Sequence, residues 1–330
     1  MELSLVTSIA LAIVFFFLFK IATHHTSKKN LPPGPWGLPI IGHMHHLIGT
    51  LPHRSLMNIA KKYGPIMHLQ LGEISTIVVS NPKIAKQVFT TYDLTFVDRS
   101  ENLTAEVISY HNTNIVFSPY GEYWRELRKL CTLELLSAKR VKSFQSLREE
   151  ECWNFVQEIR SSGSGRPINV SHYIYNIQGI LISRAALGKE IKDTTDFSNL
   201  IKNIFIEMGG LDVVDIFPSK QFIHILSSKR ARIAKMKNDY ENIVTKIFAE
   251  RLNNQSNTSV ESLLDILLRH KDGTEFPLTV DNVKAIIFDV FAGSVGAAGT
   301  TIEWALSELI RNPRTMSISH LGLGEEGALE

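Results

Sequence analysis

The chain has 330 residues, 44% of them apolar and 21% charged, which is enough to bury a core and rules out a disordered tail or a polar repeat array. Its net charge is +2 and no aromatic-spaced Lys/Arg stripe stands out, so a dedicated nucleic-acid binder is excluded. Two cysteines, Cys131 and Cys152, cannot form a disulfide framework or a Cys-rich metal cage, and they suit a reducing compartment.

Leu3 to Phe19 carries no charge and as a helix rises about 26 Å, reaching about 30 Å if Ile21 and Ala22 join it while Lys20 snorkels. A cleaved signal peptide would need a basic start and a small-residue cleavage site, and Met1-Glu2 and the Phe15–Phe19 run supply neither. Residues 1–22 are therefore expected to form a membrane anchor. The basic residues Lys20, Lys28 and Lys29 follow it, which places the bulk of the chain on the cytosolic side. The Asn-x-Ser/Thr sites at Asn102, Asn169, Asn254 and Asn257 would then stay unglycosylated.

Residues 23–42 are basic and then proline-rich. Pro32, Pro33 and Pro35 remove backbone donors and fix φ, so a stiff hinge is expected, although an ordinary linker has the same composition. Ile66–Leu71 and Thr76–Val79, separated by residues 72–75, predict a β-hairpin. Asn81-Pro82 predicts a helix start that runs through Phe89. From Ser118 onward the apolar period is helical, with polar connectors at residues 161–165 and 253–257, so the fold class is mainly α with a small β-sheet. Residues 317–330 change character, being rich in Gly, Leu and Glu without helix caps.

Two stretches carry candidate chemistry. In residues 121–131, Trp124 and Arg128 are four apart and share a helix face that continues to Cys131 and Leu135. If that face is buried, one carboxylate-bearing ligand would satisfy both guanidinium and indole N–H; the alternative is a solvated charged face. The second is a helix from Thr279 past Trp304 to Ile310, about 45 Å if unbroken. Gly293, Gly296 and Gly299 in its middle cost about 1 kcal/mol each against alanine, so something flat or bulky approaches there, or the segment is not helical. Ala285–Ile302 as a second membrane span is opposed by Asp289, Glu303 and the glycines. A dinucleotide loop after a strand at 285–291 would need glycines spaced G-x-G-x-x-G, and these are spaced G-x-x-G-x-x-G.

Together these residues resemble a family. The anchor with Pro32–Gly42, then Phe96-Val97-Asp98-Arg99, then Tyr120–Lys129, and Thr300–Pro313 are similar, in this order, to the amino-terminal part of a plant microsomal cytochrome P450, a haem-thiolate monooxygenase of the terpenoid and specialised-metabolite clan. The resemblance extends to about Met316. It implies that residues 43–316 are the amino-terminal portion of that domain, that Trp124 and Arg128 hold a haem propionate, and that the Thr279 helix crosses the distal face of the haem. It implies an endoplasmic-reticulum location, electrons from NADPH through a membrane-bound reductase, and a small lipophilic substrate lined by Glu101–Phe117 and Ile201–Phe222.

The resemblance also marks departures. The family's acid and oxygen-activating threonine fall on Gly296 and Ala297, and Thr300 and Thr301 lie one turn on. The Glu-x-x-Arg helix and the loop with the axial cysteine are not in the sequence, and residues 317–330 read as foreign to the family. Cys131 and Cys152 are expected to be packing cysteines, not iron ligands. The expectation is a haem monooxygenase sequence without its axial ligand region and thus inactive; the alternatives are a non-catalytic membrane-anchored remnant that binds the family's partners and, more remotely, a nucleotide-binding oxidoreductase.

Overall fold

The computed structural model describes residues 7–8, 31–49, 51–161, 163, 167–191, 194–209, 212–220, 222, 227–253, 261–271 and 276–315. The expected anchor lies outside them apart from Thr7 and Ser8, which are helical, and so do residues 317–330 and most of the connector at 253–257. The chain forms two compact units, Met1–Asp98 with Leu211–Lys229, and Arg99–Gly210 with Arg230–Glu330.

The first unit is built on a hairpin of β1 (Ile66–Leu71) and β2 (Ile74–Val79), paired antiparallel from Ile66 opposite Val79 to Leu71 opposite Ile74. The turn is two residues shorter than the sequence suggests because Gly72, at φ +59°, lets the chain reverse at Gly72-Glu73. Alternate residues Met67, Leu69 and Leu71 are buried, as a half-buried strand requires. The proline hinge lies along the free edge of β1, where the His68 N–H donates to the Pro33 carbonyl and Gly42 bridges Leu71. Gly42 is obligatory there: its φ is +60° and a Cβ would sit 2.1 Å from the Gln70 carbonyl oxygen. α1 (Pro52–Tyr63) precedes the hairpin; α2 (Pro82–Thr90) follows it, with Asn81 accepting from the Lys83 and Ile84 N–H groups as its cap. α3 (Asp93–Phe96) and α10 (Val213–Ile216) belong to the same unit. There the fully buried Lys229 ammonium pairs with Asp215. Removing either partner of such a pair costs about 3–5 kcal/mol.

The second unit is helical. It contains α4 (Leu103–Ile108), α5 (Glu122–Leu130) running into a π turn (Cys131–Leu135), α6 (Ala138–Ser143), α7 (Gln145–Ser161), α8 (Val170–Leu187) and α9 (Thr194–Gly209). α11 (Lys229–Asn253, from residue 230 on), α12 (Leu263–Lys271) and α13 (Val280–Arg311) complete it. α13 is the unbroken helix expected from the sequence, 32 residues or about 48 Å, and Thr279 opens it with a reciprocal capping box to Asn282. The strand required by the dinucleotide alternative at 285–291 is helix, so there is no phosphate-cradling loop there, and the nucleotide-binding reading is corrected.

α13 is the one helix among the described residues long and apolar enough to cross a membrane. Its first half is nevertheless core: Val283, Ala285, Ile286, Ile287, Phe288 and Phe291 are buried. Phe291 meets Phe197 edge-on at 4.9 Å between ring centroids, and Phe288 meets Tyr240 the same way at 5.7 Å. Each such side chain contributes about 1.5–3 kcal/mol by leaving water. Between α4 and α5, Tyr110, His111 and Asn112 all take positive φ (52°, 62° and 58°), a left-handed turn that costs about 1–2 kcal/mol per residue and has to be held by its surroundings.

The hinge makes the first unit acid-sensitive. His43 donates through Nε2 to the Pro35 carbonyl and accepts the Gln70 N–H at Nδ1. Burial, reinforced by neighbouring histidines, lowers the pKa of His45 and His68 below the ordinary value. The unfolded chain therefore takes up these protons first, and the stability they confer is present above the ordinary histidine range and is lost as pH falls through it. Residue-resolved hydrogen exchange should show the His68 amide, which donates to the Pro33 carbonyl, less protected at pH 5.5 than at 7.5 after correction for intrinsic rates; equal protection at both would refute this.

Candidate functional site

α5 starts at Gly121 with Glu122 in its first turn and ends with Arg128 and Lys129, each charge complementing the helix dipole. The expected shared face exists: the Arg128 guanidinium carbon lies 5.1 Å from the centroid of the Trp124 ring. The indole N–H, however, donates to the Ile115 carbonyl at 3.0 Å, so it is not left for a ligand as the sequence suggested. The Tyr123 hydroxyl donates to the Thr113 carbonyl at 2.7 Å. Two aromatic donors of α5 thus hold the loop before it, and Arg128 is exposed, with no carboxylate among the described residues paired to it. Both earlier readings of this face are partly met: Trp124 is half-buried and Arg128 is solvated.

On α13 the three glycines separate into two kinds. A Cβ on Gly299 would stand 2.7 Å from the Tyr175 ring of α8, so this glycine is required by helix packing. Gly293 and Gly296 have nothing within 4 Å of that position. They leave an open strip of backbone that packing inside the unit does not explain. Gly296 and Ala297, where the family resemblance places an acid and a threonine, are both exposed on this strip. The hydroxyls one turn on are engaged: Thr301 donates to the Ala297 carbonyl, and Thr300 is 3.0 Å from the Tyr175 hydroxyl.

A cavity of about 530 Å³ adjoins Gly293, lined by Ile115, Cys131, Leu135, Phe144, Ile182 and Asp289 among others. Of the two segments expected to line a substrate pocket, Glu101–Phe117 contributes Ile115 and Ile201–Phe222 contributes none of its described residues. Those segments do meet elsewhere, where the Asn102 amide donates to the Met208 carbonyl at 3.1 Å. Asp289 was legible only as a charge inside an apolar run. It accepts from the Asn114 amide at 2.5 Å, the Ile115 N–H at 2.9 Å and the Val116 N–H at 3.2 Å. Burial outweighs these three donors and pushes its carboxyl up to about 7.

Cys131 is buried at the head of the π turn, where desolvation and, second, the charge of Asp289 push its thiol up to about 12. It is a thiol, not a thiolate, at neutral pH. Cys152 is exposed, which corrects its expected packing role.

Residues 32–318 match the family described as Cytochrome P450. The chain belongs to the cytochrome P450 family. It is 60% identical over 316 residues to the germacrene A hydroxylase of Saussurea costus and likewise 60% identical to that of Helianthus annuus. It is 57% identical to the amorpha-4,11-diene 12-monooxygenase of Artemisia annua. Each alignment covers 96% of this chain and 64–65% of the relative, so this P450 chain spans less than two thirds of the length of the curated relatives it matches. The mainly helical architecture with one small sheet agrees with that membership.

The two thiols should differ in reactivity. With maleimide at pH 7.5, the folded P450 chain should lose one thiol quickly; Cys152→Ser should abolish the fast phase and Cys131→Ser should leave it intact. Fast labelling of Cys131 would contradict the burial described.

Proposed function

We propose that this chain supplies the distal helix and one propionate-holding arm of a haem-dependent monooxygenase acting on small lipophilic metabolites, of the kind named for its relatives, germacrene A and amorpha-4,11-diene. The observation that carries the reading is the open Gly293–Gly296 backbone on α13, where no described atom lies within 4 Å of a Cβ at either glycine and which suits close approach of a flat group. Arg128, stacked on Trp124 and without a carboxylate partner among the described residues, would hold a propionate as a charge-assisted pair. Trp124 acts in that pair as the platform, its own N–H being committed to Ile115. Haem, when bound, supplies the oxygen-activating chemistry, and electrons would come from NADPH through a membrane-bound reductase.

The domain layout that accompanies this reading is an anchor at 1–22 holding the chain to the endoplasmic-reticulum membrane, a hinge at 23–42, the P450 portion at 43–316 and a divergent segment at 317–330. Substrate oxidation by these 330 residues alone is not part of the proposal. Gly296 and Ala297 carry no group able to pass a proton, the hydroxyls of Thr300 and Thr301 are engaged, and the buried Cys131 is held as a thiol. These same observations favour a second reading, a membrane-anchored chain that binds haem or the reductase without turnover.

Spectroscopy of the full chain produced with haem precursor tests this. Haem should bind, Arg128→Ala should weaken binding about tenfold, the worth of one charged pair, and the reduced carbon-monoxide complex should lack the red-shifted band of thiolate ligation. A thiolate band that disappears in Cys131→Ser or Cys152→Ser would refute the judgement on turnover; full haem affinity in Arg128→Ala would refute the propionate assignment.

A further inference from the structure

The loop Asn114–Val116 is fixed to α13 by one side chain. Asp289 receives three donors on its two oxygens, one from the Asn114 amide and two from successive backbone N–H groups. Asn114 is fully buried, and its own carbonyl oxygen accepts the Phe117 N–H at 3.1 Å. The amide cannot turn over to offer an acceptor without losing that bond. We propose that Asp289 is a proton-sensitive clamp: as a carboxylate it holds Asn114, Ile115 and Val116 against α13 through charge-assisted bonds, and on taking up a proton it holds them more weakly and loosens the wall that Ile115 forms in the adjoining cavity.

The argument is one of charge. The carboxylate accepts all three donors as charge-assisted bonds, one on Oδ1 and two on Oδ2, whereas the neutral acid keeps acceptor capacity but loses the charge that strengthens them. Ile115 is the sensitive point, because Asp289 takes its N–H, Trp124 takes its carbonyl and its side chain lines the cavity. The left-handed turn at Tyr110–Asn112 lies just upstream and is held at its other end by the Tyr110 hydroxyl on Glu241 of α11. Release at Asp289 therefore frees a strained segment, not a relaxed one.

The surroundings leave the proton little other place to go. The π turn offers the Cys131 thiol, itself protonated, and α11 offers Tyr240, whose hydroxyl donates to the Lys284 carbonyl. Arg148 of α7 lines the same cavity and donates to the Val141 carbonyl. The cavity-lining residues of α8 are Gln178, Leu181, Ile182 and Ala185, none titratable, and α12 contributes Leu263, with Asp265 tied to Arg251. On α13 itself Lys284 is paired with Glu241 and Asp281 lies two turns back. No described cation neutralises Asp289, and burial brings its titration to about pH 7, within the range a cell visits.

The test is residue-resolved amide exchange on the full chain in detergent micelles between pH 5.5 and 8.5, corrected for intrinsic rates. Protection of the Ile115 and Val116 amides should fall about tenfold on acidification, as expected for one lost charge-assisted bond, while α11 amides stay constant. Asn114→Ala removes one donor to the carboxylate and should move this transition to higher pH; Asp289→Asn should abolish it, with low protection throughout. A flat wild-type profile, an unmoved transition in Asn114→Ala, or a transition that survives in Asp289→Asn would each overturn the clamp. If Asp289→Asn does not fold, Asn114→Ala decides, because a merely structural role would change the level of protection and not its pH midpoint.

Discussion

Burial of the first half of α13 is the constraint from which the rest of the second unit follows. Ile286, Ile287, Phe288 and Phe291 are held among Phe197, Tyr240 and the leucines of α12, and that packing fixes the helix in place. Three glycines would otherwise weaken so long an element by about 3 kcal/mol in total. With the first turns anchored, the helix continues through Gly293 and Gly296 without side-chain support and keeps a bare strip of backbone. The helix is thus core at one end and open in the middle. Further along it Trp304 and Ile310 are exposed, so its last turns lack the cover that the first turns have.

Charge is placed with similar economy around that helix. Arg128 is a cation on the α5 side, supported by an aromatic face, with no carboxylate among the described residues paired to it. Asp289 is the anion on the α13 side, satisfied by backbone and amide donors and not by a cation. Ile115 stands between them, bonded at its carbonyl to the residue that carries Arg128 and at its N–H to Asp289. The loop therefore links Trp124 and Asp289 through one residue.

Much of this was legible in the sequence, and the parts that were not share a cause. Local signals were faithful: the Asn81 cap, the hairpin and the capped start of α13 at Thr279 depend on neighbours a few residues away. Periodicity was enough to place Trp124 and Arg128 on one face. What pattern alone could not show was pairing across long stretches of chain, such as Asn114 with Asp289, or Trp124 turning its N–H back to Ile115. The glycines illustrate the limit well. All three look alike in sequence, and only the position of Tyr175 shows that Gly299 serves packing while Gly293 and Gly296 do not. Cys152 was misjudged because α7 has no strong apolar face to betray which side it buries.

The claim on which the account rests is that the bare strip of α13 is a cofactor seat and not a packing defect. Gly293→Phe addresses it directly, since a Cβ at this position has no described atom within 4 Å and the substitution replaces a poor helix former. Haemin titration and thermal melting of this variant, with Gly299→Ala as the packing control that strikes Tyr175, form one experiment. The account predicts that Gly293→Phe melts at or above the wild-type temperature yet takes up no haem, while Gly299→Ala melts lower. Wild-type haem uptake by Gly293→Phe would contradict it.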